Sequence, residues 1–382
     1  MPPLDPRSLN SRQGILTQLA NPSDIFSVLL ILGGDVVCRA IAQLAGPPIT
    51  PVAFSFGWVA YAITALLTAI GENRLMPPPD ISCQVINGQT GYARQNQSFI
   101  LDRIMRDFEI WMDDRVRRHL KHLLQPQSLD TMGSRSHRIG LCVSIYRADE
   151  AKPGSPGYDW LYFMGFGTAL LQLAIAAIPF GRNDSWDVLL VTAAGIVLSF
   201  STGSLRQWST EKWACRRSCK KTVILTKGNG SQHAIVIIGD GKGLDIEDLA
   251  SGPNTNVSSF FRPTPVALLA LCFLWVLLLI IAAGVEENSW YLFAVGGIGM
   301  LENIFVAASP RSPAAFGMPL MFEDVIGEPK AMDTLFALEE AYPRVGRSLL
   351  VTFFPGKLRL KEQERWDELE CLADALDESR RN

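Results

Sequence analysis

The stretch Ser23-Asp24-Ile25-Phe26-Ser27-Val28-Leu29-Leu30-Ile31-Leu32-Gly33-Gly34-Asp35-Val36-Val37-Cys38-Arg39-Ala40-Ile41-Ala42-Gln43-Leu44-Ala45 sets the class of this chain. About 20 apolar residues, rising 1.5 Å each, cross the roughly 30 Å hydrocarbon core of a bilayer as one helix. This run carries an acid and a base near its centre. Asp35, Arg39 and Gln43 stand at i, i+4 and i+8, so they form one polar stripe on an apolar rod. A charge at mid-bilayer costs about 2.5 to 3.5 kcal/mol on the insertion scale. The stripe is therefore expected to face other protein or a wet cavity, with the remaining helices supplying its cover.

The whole composition points the same way. Only 19% of the 382 residues are charged and mean hydropathy is positive, which shifts the class towards membrane proteins. A net charge of -3 leaves no basic excess for a phosphate backbone, so nucleic acid is excluded as a partner. The opening Met1-Pro-Pro-Leu-Asp-Pro-Arg7 lacks the basic-then-apolar order of a cleaved signal peptide. Insertion is expected to start with the first apolar helix itself.

Six spanning segments are predicted, grouped as three antiparallel hairpins: residues 24–45 with 52–71, 160–180 with 188–205, and 264–284 with 290–309. The turns within these pairs hold a single basic residue, Arg182. The opposite flanks hold Arg74, Arg147, Lys152, Arg206, Lys212 and Arg216 among others, so the positive-inside rule places both long loops and both termini in the cytosol. The sequons at Asn96, Asn229 and Asn256 would then escape glycosylation, and the seven cysteines would be free thiols.

The expected organisation is a cytosolic tail (1–23), a first transmembrane hairpin (24–71), a cytosolic loop (72–159), a second hairpin (160–205), a second loop (206–263), a third hairpin (264–309) and a helical cytosolic tail (310–382). The loops are not mere linkers. Residues 81–86 run into Asn87-Gly88 and return through Arg94 as a hairpin. A helix over 97–124, open to a break at Asp113-Asp114, and a strand over 141–147 follow. In the second loop, 222–226 and 234–239 flank a further hairpin, and Ala234-Ile235-Val236-Ile237-Ile238 reads as a strand buried on both faces. The strands of both loops are predicted to pair into one small cytosolic α/β module. Helices are predicted over 331–340, 345–352 and 362–377.

Asp35, Arg39 and Glu302 are the candidate catalytic residues, because intramembrane ionisable groups tend to mark function. Gln43, Gln172 and Asn303 are the candidate substrate-binding residues around them. The competing reading is an ion pair that locks the first and last spans together. Gly239-Asp240-Gly241-Lys242-Gly243 follows a strand and precedes a short acidic helix, but it matches neither phosphate-binding fingerprint. Cys215 and Cys219 lack further metal ligands at suitable spacing and read as part of a polybasic flank. His119 and His122 belong to a basic helix face. No metal and no cofactor are expected.

Several stretches together carry a resemblance: Ser23 to Gly34 ending in Asp35, Ala53-Phe54-Ser55-Phe56-Gly57-Trp58, Gly71-Glu72-Asn73-Arg74-Leu75, Lys227-Gly228-Asn229-Gly230-Ser231-Gln232-His233, and Phe353-Phe354-Pro355-Gly356-Lys357-Leu358. Through them the chain resembles, over nearly its whole length, a fungal family of polytopic, about six-helix membrane proteins, some encoded beside secondary-metabolite biosynthesis genes. The resemblance implies an internal membrane, the endoplasmic reticulum or another, and a link to lipophilic products, and it brings no catalytic residues with it. Three functions stay open: a membrane-embedded enzyme using proton transfer on a lipophilic metabolite, a scaffold gathering soluble biosynthetic enzymes at the bilayer, or a small-molecule transporter.

Overall fold

The computed structural model describes residues 23–124, 140–153, 158–252, 263–285 and 287–381. The chain begins with α1 (Ser23–Leu44) and α2 (Gly57–Gly71), followed by β1 (Gln84–Asn87) and β2 (Ala93–Gln95). Next come α3 (Phe99–Arg106), α4 (Phe108–Trp111), α5 (Asp114–Leu124) and β3 (Leu141–Ala148). Then follow α6 (Trp160–Asn183), α7 (Asp187–Gly203), α8 (Arg206–Lys212), β4 (Thr222–Thr226), β5 (His233–Ile238) and α9 (Ile246–Ala250). The remaining elements are α10 (Pro263–Ala283), α11 (Ser289–Ala308), β6 (Leu320–Glu328), α12 (Ala331–Ala341), α13 (Val345–Phe353) and α14 (Leu360–Arg381). Within the described residues they form two units, one from Met1–Pro77, Tyr158–Lys212 and Thr255–Ser309, the other from Pro78–Gly157, Trp213–Asn254 and Pro310–Asn382.

The first unit is a helical bundle. Among its described residues four stretches are long and apolar enough to cross a membrane: Trp160–Arg182, Asp187–Lys212, Thr264–Ala283 and Ser289–Ala308. α10 turns Val266, Leu269, Phe273 and Ile280 outward, and Phe273 is 69% exposed, an arrangement consistent with an integral membrane protein. The second expected hairpin is present. Asp159 caps α6 by accepting from the Tyr162 N–H, and ring contacts of Phe166 with Phe200 and of Phe180 with Trp186 pair α6 with α7 antiparallel.

The first expected hairpin is not. α2 starts at Gly57 rather than Val52 and, at 15 residues, rises only about 22 Å. It also runs parallel to α1: Gly33 lies against Gly57, Gly34 against Ala60 and Tyr61, and the Cys38 thiol reaches the Leu75 carbonyl. α1 is parallel to α11 as well, with Gly33 against Met300 and the Gln43 side chain on the Ser309 carbonyl. Residues 45–56 bring the chain back into the bundle between the two helices. The expectation of three hairpins entering from one side is corrected accordingly. The Ser23 end of α1 and the Ala308 end of α11 lie at opposite ends of the unit, so the two flanks expected on one side are separated. Of the expected tail 1–23, only Ser23 is described, and it opens α1.

Two adjacent buried residues of α8 hold the end of the bundle where α1 stops. The Lys212 ammonium donates to the Gln43 and Ala45 carbonyls at 3.1 and 2.8 Å, a cation on the C-terminus of α1. The Glu211 carboxylate accepts the Leu75 and Met76 N–H groups at 2.8 and 2.9 Å, closing the segment after α2.

The second unit is a six-stranded mixed sheet in the order β2-β1-β4-β5-β3-β6, antiparallel except for β3 beside β5. Strands from both long loops do pair, as their alternation and turn signals require. The Asn87 side chain accepts the Gln89 and Thr90 N–H groups and so shapes the β1–β2 turn. Alternate residues of the central strands feed two cores. Val223, Leu225, Ile235 and Ile237 pack with α3 and α9 on one face. Ile224, Val236, Val143 and Ile145 pack with Leu335, Leu349 and Trp366 of the C-terminal helices on the other. The helix predicted over 97–124 is broken at Asp107 and again at Asp113. The tail 310–382 is not wholly helical, because β6 adds the edge strand along β3. Its Phe322-Glu323-Asp324-Val325 core has two adjacent acids and no alternation, and an edge strand needs only one bonded side.

Relative orientation of α1 and α2 can be read by labelling. In a background lacking native cysteines, Ser23→Cys and Glu287→Cys are expected to react with an impermeant maleimide from one side of the membrane and Gly71→Cys from the other. Reaction of Ser23→Cys and Gly71→Cys from the same side would restore the antiparallel hairpin.

Candidate functional site

The polar centre of the bundle forms around chain that is not helical. Residues 50–56 are buried without regular structure among α6, α7 and α11. A buried backbone must find partners for every N–H and C=O, and inside a bilayer irregular chain survives only where protein supplies them. Here side chains do so. Asn303 donates from Nδ2 to the Ala53 carbonyl and to Ser55 Oγ, both at 3.1 Å. Gln172 donates from Nε2 to the Phe54 carbonyl at 2.7 Å and to the Val295 carbonyl of α11 at 2.9 Å. The Trp58 indole N–H closes on the Ala53 carbonyl at 2.8 Å, and Glu302 Oε2 accepts the Ala53 N–H at 3.4 Å. With its carbonyl taken, Ala53 cannot begin the helix that the apolar run suggested.

Close approach makes this threading possible. A Cβ on Gly299 would sit 1.8 Å from the Phe54 carbonyl oxygen, and one on Gly165 would sit 1.8 Å from that of Pro51. Phe54, Trp275 and Trp58 form a stack beside the segment, with Trp275 centred 6.1 Å from Phe54 and 5.3 Å from Trp58.

Three candidate residues therefore meet at one place: Gln172, Glu302 and Asn303, each less than a tenth exposed. Each also keeps one acceptor without a hydrogen-bond donor among the described residues, namely Gln172 Oε1, Glu302 Oε1 and Asn303 Oδ1. Such orphaned acceptors call for a donor from a ligand or water, or for a proton on the carboxyl.

The other three candidates do not join them. Asp35 points out of the bundle with 71% of its side chain exposed, and its partner is Arg39 on the same helix at 2.8 Å. The returning segment 50–56 takes the bundle interior and the polar partners Gln172, Glu302 and Asn303 that were expected to face Asp35. Gln43 is fully buried at the end of α1, where it donates to Ser309. Glu302 and Asn303 thus do not pair with the first helix. Ala53, Ser55 and Trp58, together with Glu211 and Lys212, complete the polar framework and were missed. An acid and a base adjacent in a span flank was the available signal for the latter two.

The second unit removes several alternatives. The N-terminus of α9 is occupied by its own Asp245 carboxylate, which accepts the Glu247 and Asp248 N–H groups. Arg216 bridges Asp245 and Asp248, and Lys221 holds Glu247 at 2.6 Å, so the acidic turn is balanced by protein cations. The Arg216 guanidinium keeps the Asp248 carboxyl below its ordinary range. No room is left for a phosphate at those amides. His119 meets the Gly327 carbonyl at 3.1 Å, whereas His122 is exposed. Among the described residues no group of His, Cys, Asp and Glu is placed to hold a metal.

Two measurements check this arrangement. Gly299→Ala is expected to lower the thermal midpoint of the detergent-purified protein by an amount equivalent to about 1–3 kcal/mol of overpacking, and Gln172→Ala by a similar loss of about 1–3 kcal/mol from stranded carbonyls. Gly167→Ala, with nothing within 4 Å, should leave it unchanged. Burial pushes the Cys83, Cys142 and Cys215 thiols up to about 12. They should resist iodoacetamide in the folded protein at pH 8, where exposed Cys371 reacts, and become reactive on denaturation.

Comparison of the chain with protein-family models, with curated proteins and with solved structures finds no match.

Proposed function

We propose that this chain is an integral membrane enzyme of proton-transfer chemistry, a cyclisation or isomerisation, acting on a lipophilic small molecule with Glu302 as the acid and base. The observation that carries the reading is the pair of Glu302 oxygens: one rests on the Ala53 N–H, and the other is buried with no donor among the described residues. A carboxyl so placed can give a proton to a substrate carbon or oxygen and take one back from a neighbouring atom, leaving substrate and enzyme balanced without a redox cofactor. Asn303 Oδ1 and Gln172 Oε1 would accept from hydroxyl groups and so orient the substrate. Asp35 and Arg39 have no part in this chemistry.

The resemblance to fungal membrane proteins linked to secondary metabolism supports a lipophilic product. The basic flanks Arg74, Arg206 and Arg216 support a cytosolic position for that end of the bundle and for the α/β unit, in an internal membrane. Transport of the same kind of molecule is the second reading. It is favoured by the buried non-helical segment, since carriers line their sites with interrupted helices.

Glu302→Gln is expected to reproduce the metabolite profile of a deletion strain at normal protein level. In microsomes supplied with the accumulated compound, conversion should fall by about 10²-fold or more, the usual scale of general acid–base catalysis. Full conversion by the variant would end the enzymatic reading. Unconverted compound moving into vesicles would favour transport.

A further inference from the structure

The run Arg216-Arg217-Ser218-Cys219-Lys220-Lys221 lies outside helix and strand, between α8 and β4, and takes no part in the chemistry proposed for Glu302. Its four bases divide into two kinds. Arg216 and Lys221 are committed to the acidic turn of α9, through Asp245, Glu247 and Asp248. Arg217 and Lys220, the nearest bases on either side of Ser218, are exposed and form no ion pair among the described residues. Ser218 is exposed as well, and its hydroxyl donates to the Gly241 carbonyl at 2.8 Å. The Lys220 stem crosses the same glycine, with Cε 3.9 Å from where a Cβ on Gly241 would stand. Lys242 follows, 63% exposed, with Asp149 at the limit of an ion pair, 4.0 Å away. Asp240, the acid of this turn, is taken by Arg147 at 3.1 Å. Three cations with little balancing charge thus stand about one exposed hydroxyl.

We propose that Ser218 is a phosphorylation site, written by a protein kinase that reads bases on both sides of its target, and that the phosphate is held by Arg217, Lys220 and Lys242. In the transfer Ser218 Oγ takes the γ-phosphoryl group of ATP, the bond to the β-phosphate oxygen breaks, ADP leaves, and the hydroxyl proton passes to the base of the kinase. The product carries close to two negative charges and three acceptor oxygens. It can no longer donate to the Gly241 carbonyl, so it turns towards the ammonium and guanidinium groups, and charge-assisted hydrogen bonds replace the single neutral one. The turn amides are not needed, because the Gly239 and Gly241 N–H groups already donate to the Lys221 and Cys219 carbonyls. The phosphate thereby ties the loop before β4 to the turn after β5. A lipid headgroup would meet the same cations, but residues 214–221 carry no exposed apolar side chain to enter lipid, and a hydroxyl between the bases is what a covalent phosphate requires. The inference rests on the cytosolic placement of the α/β unit and not on Glu302.

The full chain in detergent, supplied with ATP, Mg2+ and the catalytic fragment of protein kinase C, a kinase of that charge preference, tests it by phosphopeptide mapping. Ser218 should take up phosphate in the folded protein, S218A should lose that phosphopeptide, and R217Q/K220Q should slow labelling at least tenfold. Phosphorus NMR of the exhaustively labelled chain reads the grip on the phosphate. The second pKa of the phosphoserine, about 6 when free, should fall by about 0.5 or more beside the cations, and K220Q/K242Q should return it to about 6. Labelling of Ser218 only after denaturation would overturn the proposal, and so would a wild-type phosphoserine that titrates at the free value. Labelling that proceeds in detergent but is blocked in nanodiscs of anionic lipid would assign these cations to a headgroup and overturn it as well. Ser218 modified in detergent but never in sealed microsomes would overturn it through the placement of the unit. Microsomal conversion assayed on S218A keeps this question apart from that of Glu302.

Discussion

A stretch of non-helical backbone inside a helical bundle imposes the main constraint on this molecule. Residues 50–56 contribute peptide groups that neither lipid nor a neighbouring strand can satisfy, and a helix would have satisfied them internally. Asn303, Gln172, Trp58 and Glu302 are committed to that task. Small residues on the facing helices follow from the same constraint, because a side chain at Gly299 or Gly165 would occupy the space of a carbonyl oxygen. The polar centre of the bundle and its stripes of small residues are thus two parts of one solution to backbone solvation.

The direction of the first two helices follows as well. Once the chain after α1 turns back into the bundle, α2 must leave towards the same end that α1 reached, and the two pack parallel through Gly33 and Gly57. Glu211 and Lys212 then close both exits with backbone hydrogen bonds. The interior is filled by this arrangement, and Asp35 stays on the outer face of α1.

The second unit obeys simpler rules. Its central strands alternate apolar residues between two helical layers, and its charged turn at Asp245–Asp248 is neutralised by Arg216 and Lys221. Features that looked open to anions or metals in isolation, the glycine turn after β5 and the cysteine pair before β4, are part of the local scaffolding instead. The two engage each other: the Gly239 and Gly241 N–H groups donate to the Lys221 and Cys219 carbonyls.

From the sequence alone it was possible to read the apolar spans over 160–205 and 264–309, the hairpin at Asn87-Gly88 and the strand pair around Lys227–Gly230. These depend on local periodicity and turn chemistry, which act over a few residues. Gln172, Glu302 and Asn303 were legible as polar groups out of place in apolar segments. Whether an apolar run such as Val52–Phe56 becomes helix or buried irregular chain was not legible, because hydropathy is the same for both. Only the tertiary structure decides it, by placing or withholding the distant side chains that satisfy its peptide groups. The same holds for β6 along β3, where the outcome rests on a partner more than a hundred residues away.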